Sequence, residues 1–160
     1  MIRISKLTDY AIVLLCQMAR SGPGVHATST LAEQTGLAMP TVAKLLKSLV
    51  KAGIVGSSRG VNGGYTLASS PSALTIASII NALEGPIALT ECSASAAENC
   101  QQSGSCDVRA NWHVINDAVR SALNAVTLQD MLNPADPGAQ EHIMYFSQPA
   151  RSTLQSPRSH

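Results

Sequence analysis

The sequence predicts a mainly α fold: a helix-turn-helix with a β-hairpin wing, then a further helix, a cysteine-bearing loop and one long C-terminal helix. Three observations predict it. Successive segments of the first third carry apolar residues at helical spacing. A glycine-rich turn separates two short strand-like runs. Charge is divided: residues 1–66 hold seven basic against two acidic side chains, a net +5, whereas residues 67–160 hold four against eight, a net −4. In a chain of 160 residues with a total charge of only +1, a basic first half is the footprint of a nucleic-acid contact surface, and an acidic second half stays clear of phosphate.

The first helix spans Ser5 to Arg20, with Leu7, Ala11, Leu14 and Met18 on one face, and Ser21-Gly22-Pro23-Gly24 ends it. Cys16 lies in its apolar stretch and reads as a small buried thiol. A second, shorter helix fits Thr30 to Thr35, where Thr30 and Glu33 form a capping-box pattern and Gly36 stops it. In the third helix Pro40 suits the first turn, Val42, Leu45, Leu46 and Leu49 fall at i, i+3, i+4 and i+7, and Gly53 can take the left-handed cap. Its other side carries Lys44, Lys47 and Lys51, with Thr41 near the start. A lysine stripe alone is a solvated face. Placed on the second element of a helix-turn-helix, it becomes a candidate reading surface for the major groove.

Ile54 to Ser58 and Tyr65 to Ala68 read as strands around Arg59-Gly60-Val61-Asn62-Gly63-Gly64, a turn rich in residues that tolerate positive φ. The turn lacks the lysine and hydroxyl pair of a P-loop, so a nucleotide site is excluded. Arg59, at the base of this thin wing, is shaped to enter a minor groove. A fourth helix follows from Thr75 to Glu84, with Ile76, Ile79, Ile80 and Leu83 inward.

Cys92, Cys100 and Cys106 sit within fifteen residues, separated by the small, polar stretches SASAAEN and QQSGS. Such a loop has no core of its own, and three soft thiolates suit zinc or an iron–sulfur cluster. No C-x-x-C pair and no convincing histidine partner for a nucleophile is present, which argues against an enzyme and against a small-molecule substrate. Val108 to Val126 then supplies a long helix with Trp112, Ile115, Val119, Ala122, Leu123 and Val126 on one apolar side, a surface suited to pairing with a second chain. Thr127 and Asp130 form a capping-box pattern for a brief last helix. The four prolines between Asn133 and His160 and the absence of periodicity read as a disordered tail. No apolar run approaches the roughly 18 residues of a membrane span, so a cytoplasmic protein with no membrane partner is expected. The organisation is therefore a DNA-binding domain over residues 1–85, a cysteine loop over 86–107, a dimerisation helix over 108–132 and a tail over 133–160.

With helix-turn-helix, RGVNGGY wing, three-cysteine loop and Trp112-bearing helix in that order, the chain resembles the Rrf-two family of winged helix-turn-helix iron–sulfur transcription regulators, the IscR, NsrR and SufR type. The likeness covers about residues 1–132. RISKLTDYAIVLL and RGVNGGYTLA are most similar to the branch that controls the Suf iron–sulfur assembly operon.

The resemblance implies a homodimeric regulator, a repressor of cluster-assembly genes, whose affinity for a double-stranded DNA operator follows the state of a bound 2Fe-2S or 4Fe-4S cluster. Cys92, Cys100 and Cys106 match the ligand cysteines, although the first gap has seven residues where members commonly have five. Three residues after the last cysteine, where IscR-like members place a histidine, stands Arg109, which cannot ligate. Nearby His113 reads equally as a packing residue. Asp9, in the TDYA segment, matches the aspartate that NsrR-like members supply from the partner subunit; its other reading is a first-turn acid favoured by the helix dipole.

On this reading two recognition helices enter successive major grooves roughly 34 Å apart. Thr41 and Lys44 meet base edges, Lys6, Lys47 and Lys51 hold phosphates, and Arg59 enters the minor groove. Pro40 and the wing-turn residues Gly60, Asn62 and Gly63 complete the DNA-facing set. Two alternatives stay open: a nitric-oxide or redox-responsive member of the same family, and a metal-free thiol switch.

Overall fold

The computed structural model describes residues 3–60, 62–93 and 106–133. The expected disordered tail, beyond Asn133, and Cys100 lie outside them. Helix α1 (Lys6–Arg20) begins where Ser5 Oγ accepts from the Thr8 N–H at 3.2 Å. Its core face holds Ala11, Leu14 and Met18 as expected, together with Ile12, Leu15 and Cys16. Leu7 departs from expectation: it is exposed, as is Ile4, while Thr8 is the residue of the first turn that is buried.

Helix α2 (Thr28–Thr35) starts two residues earlier than the Thr30–Glu33 pattern implies. Thr30 is already helical, Ala27 occupies the cap with no side-chain acceptor, and the expected capping box is not made. Gly36, at φ +69°, stops the helix in the left-handed conformation as the sequence requires. Helix α3 (Met39–Lys51) has Pro40 in its first turn and buries all four predicted residues, Val42, Leu45, Leu46 and Leu49. Each such side chain contributes roughly 1.5–3 kcal/mol on burial, so the four fix which face of α3 remains for solvent.

Strands β1 (Val55–Ser58) and β2 (Gly64–Leu67) pair antiparallel from Val55↔Leu67 to Ser58↔Gly64. A third segment joins them that the sequence did not announce. The His26 N–H donates to Tyr65 O at 2.8 Å, and the Tyr65 N–H returns to His26 O at 3.0 Å, so β2 is flanked on both edges. Gly64 makes this approach feasible, since a Cβ there would stand 2.6 Å from His26 O.

Helix α4 (Ile76–Glu84), capped by Thr75 Oγ1, buries Ile76, Ala77, Ile79 and Ile80, with Leu83 half-buried. A short 3-10 turn (Glu91–Ser93) precedes the cysteine loop, and α5 (Arg109–Ala125) follows it. The predicted apolar side of α5 divides. Leu123, with Val126 just beyond the helix, packs on the core, whereas Trp112 and Ile115 are 38% and 45% exposed. Among the described residues, none covers that half of the helix closely.

Helix α6 (Leu128–Leu132) forms the predicted capping box, with the Thr127 N–H donating to Asp130 Oδ2 at 2.8 Å and the Asp130 N–H to Thr127 Oγ1 at 3.2 Å. Backbone bonds from Ile76 N–H to Val126 O (2.9 Å) and from Leu128 N–H to Leu74 O (2.7 Å) tie it to the start of α4. Leu128 is fully buried, and α6 packs on α1 and on the 3-10 turn Pro71–Ala73. Among the described residues, no helix is long and apolar enough to cross a membrane.

Candidate nucleic-acid interface and cysteine loop

The packing of α3 decides what it can present. With Val42, Leu45, Leu46 and Leu49 turned inward, Pro40, Lys44, Lys47 and Lys51 are exposed on the opposite side and Thr41 is half-buried. The helix contains no acidic residue, so nothing within it offsets the three ammonium groups. Its N-terminus has no side-chain cap; Thr41 and Val42 N–H both turn back to Ala38 O, leaving the positive end of the helix dipole outward beside Pro40 and Thr41.

Lys6 is exposed in the first turn of α1, where its Nζ lies 5.7 Å from the Tyr10 ring centroid. A cation over an aromatic face at an exposed site gains about 0.5–1 kcal/mol, enough to bias the lysine's direction without removing it from solvent. At the wing, Arg59, Gly60 and Asn62 are exposed and Gly63 is partly covered. Gly60 takes φ +112°, which strains any residue with a Cβ although the space around it is open, and a Cβ on Gly63 would lie 2.5 Å from Ser58 O, so glycine is required at the first by conformation and at the second by space. Arg59 thus stands on a narrow ridge. A slender ridge bearing one guanidinium and flanked by a cationic helix can straddle a phosphate backbone.

The cysteine loop is described at its two ends. Cys92 belongs to the 3-10 turn Glu91–Ser93, which packs against α5; Cys106 is half-buried, with its carbonyl accepting from the Arg109 N–H at 3.3 Å as α5 begins. Both ends therefore meet the same helix. Cys100 falls outside the described residues, and among the described residues no three potential metal ligands converge. Asp9 is exposed in the first turn of α1, and Arg109 opens α5. His113 is exposed on α5, so it is not a buried packing residue among the described residues. Cys16 is buried in the core, which pushes its thiol pKa up against a smaller opposing effect of Arg20, consistent with a structural residue.

Sequence reasoning missed two asparagines. Asn116, buried on α5, accepts from the Leu89 N–H at 3.0 Å and donates to Ile87 O at 3.3 Å. Asn81, at the end of α4, accepts from the Ile87 N–H at 3.1 Å. A signal existed: Asn116 shares its helical face with Trp112, Val119 and Leu123, a polar residue in an inward register. Glu84 was likewise overlooked. Its Oε1 accepts from the Ser5 N–H at 2.9 Å, and its carboxyl is held below the usual glutamate range by hydrogen bonding to the Thr8 side chain first, then Ser5.

Comparison with known proteins agrees with this arrangement. The family model Rrf2, described as an iron-dependent transcriptional regulator, matches residues 4–134. The chain is 33% identical over 145 residues to the HTH-type transcriptional regulator CymR of Bacillus subtilis (strain 168), spanning 90% of this chain and 99% of that protein. It is 28% identical over 135 residues to the HTH-type transcriptional regulator IscR of Yersinia pseudotuberculosis, spanning 84% and 81%. The solved structure of B. subtilis CymR, described as the global cysteine regulator, superposes with a TM-score of 0.65 at 32% identity, covering 85% of this chain and 100% of that one. T. potens IscR follows with a TM-score of 0.63 at 28% identity, covering 86% and 90%.

Proposed function

The chain belongs to the Rrf2 family of helix-turn-helix transcriptional regulators, and on that premise we propose that its cysteine loop holds an iron–sulfur cluster whose state sets operator affinity. It is a DNA-binding regulator and not an enzyme. The observation that carries the sensing reading is the loop itself: three thiols in fifteen residues, with both ends set against α5. The donor chemistry fits the group. Cys92, Cys100 and Cys106 supply soft thiolates, the described one of these side chains, Cys106, is half-buried rather than sunk in the core, and Asp9 of the partner subunit supplies a carboxylate. A bound cluster supplies sensitivity to iron supply, oxidants or nitric oxide.

The remaining steps belong to the protein's own residues. Two copies pair through the exposed side of α5 and place two α3 helices in successive major grooves. Thr41 and Lys44 read base edges, Lys6, Lys47 and Lys51 hold phosphates, and Pro40 with the Gly60, Asn62 and Gly63 turn sets the approach of helix and wing. Arg59 enters the flanking minor groove. The regulated genes, on this reading, are those of iron–sulfur cluster assembly.

A second reading is a metal-free thiol switch, favoured by the likeness to CymR, a cysteine regulator by description, across nearly its whole length. Anaerobic purification separates the two. Visible absorption with stoichiometric iron and sulfide, and DNA affinity that changes when chelator strips the metal, supports the cluster; a colourless protein whose affinity responds to thiol oxidants alone sinks it.

A further inference from the structure

Helix α5 buries one of its described residues almost completely, and that residue is polar: Asn116, at 3% exposure, while Trp112, Val114 and Ile115 on the same helix stay exposed. A carboxamide withdrawn from water is costly unless its oxygen and its N–H groups find partners. Both halves do. The oxygen takes the Leu89 N–H and the nitrogen donates to Ile87 O, so one side chain pairs with residues 87 and 89 as the backbone of a neighbouring strand would. Asn81 Oδ1 takes the remaining Ile87 N–H from the α4 side.

The segment 87–89 is thus a joint held by two asparagines from two helices, with no regular secondary structure of its own. Its position in the chain gives the joint meaning. Downstream lies the turn bearing Cys92, while the other end of the loop, Cys106, feeds directly into α5. Upstream lies Glu84, which holds the Ser5 N–H at the start of α1, one residue before Lys6. Any change in the separation of the loop's two ends must either be absorbed at this joint or be passed through it to α4 and α1.

From these contacts we infer that Asn116 is the positioning residue through which the cysteine loop acts on the DNA-reading head, by locking segment 87–89 to α5 so that loop and α4 move together. The inference rests on the loop being the sensor. It requires no ligand contact by Asn116 itself. Coupling of this kind is a free-energy difference between two states of one element, so it is read as a ratio of affinities.

The test uses the full chain, with and without reconstituted cluster, and a duplex enriched by the wild-type protein from a random-sequence pool. In Asn116→Leu, which keeps the branched shape but cannot pair, cluster-free affinity should stay within about twofold of wild type while the loaded-to-free ratio falls at least about fivefold toward unity. Amide exchange at Leu89 in the cluster-free chain should rise by about tenfold, a readout independent of the metal. Wild-type coupling retained in Asn116→Leu, or unchanged Leu89 protection, overturns the inference alone. A wild-type ratio of one overturns the sensor reading and the inference with it. Should Asn116→Leu fail to fold, Asn81→Ala at an exposed position removes only the Ile87 bond; an intermediate ratio supports the joint, and an unchanged ratio overturns it.

Discussion

Lys44 and Lys51 leave the same face of α3 seven residues apart, about 10 Å along the axis. Lys44 is the one nearer the uncapped N-terminus, the end that the proposed docking leads into a groove. Lys44→Ala should therefore cost about 1–3 kcal/mol on the preferred duplex and flatten discrimination between sequences. Lys51→Ala should weaken all duplexes alike and reduce the slope of log affinity against log salt by about one. Identical behaviour of the two variants in a salt-controlled anisotropy titration would remove the division of labour. Glu84 is a residue with a pH signature. Its folded-state pKa is depressed, so the stabilisation it gives is complete above the unfolded glutamate value and is lost as pH falls through the folded one. Because the group is exposed, the effect stays below about 1 kcal/mol after solvent screening. Thermal melts of wild type and Glu84→Gln should differ at neutral pH and converge under acid; a constant gap would assign the loss to something other than the carboxylate's charge.

At the scale of elements, apolar periodicity carried most of the information. Helices α3 and α4 fell where their spacing put them because a one-sided apolar stripe has a single way to be buried, and Gly36 and Gly53 ended helices in the conformation that only glycine adopts without strain. Helix α2 began early because its start has no side-chain cap to mark it. The His26 bridge was illegible for a related reason: one residue pair is too short to leave an alternating pattern, and its trace in the sequence is a glycine on the opposite strand. Gly64→Ala should destabilise the fold by about 1–3 kcal/mol, since its Cβ would press on the His26 carbonyl rather than on a flexible side chain. An unchanged urea midpoint would mean that the wing's inner edge does not depend on that close approach. The cysteines were legible as a group from composition, and Asn116 was marked by its inward register, but its partners were not, because periodicity shows which face is inward and says nothing about which backbone groups await it there.

For the molecule as a whole, the sequence identified an apolar face on α5 without saying what covers it. The head takes Leu123 and Val126, and leaves Val108, Trp112, Val114 and Ile115 to water. Solvent-facing aromatic and branched residues along one helix suit a two-fold partner. Ile115→Asp should give monomers in sedimentation analysis and lower operator affinity roughly a hundredfold through loss of bivalence. Undiminished dimer mass in that variant would place the contact elsewhere.

The bridge between Thr75 and Thr127 reaches further than the hydrogen bonds that define it. By returning Leu128 to the core against α1, it makes the last helix a plug for the first domain's own interior. A fragment cut at residue 85 would carry a hole lined by leucines and isoleucines, so reader and handle cannot be swapped between regulators as independent cassettes. Whatever strains the handle is felt by the reader through a shared interior.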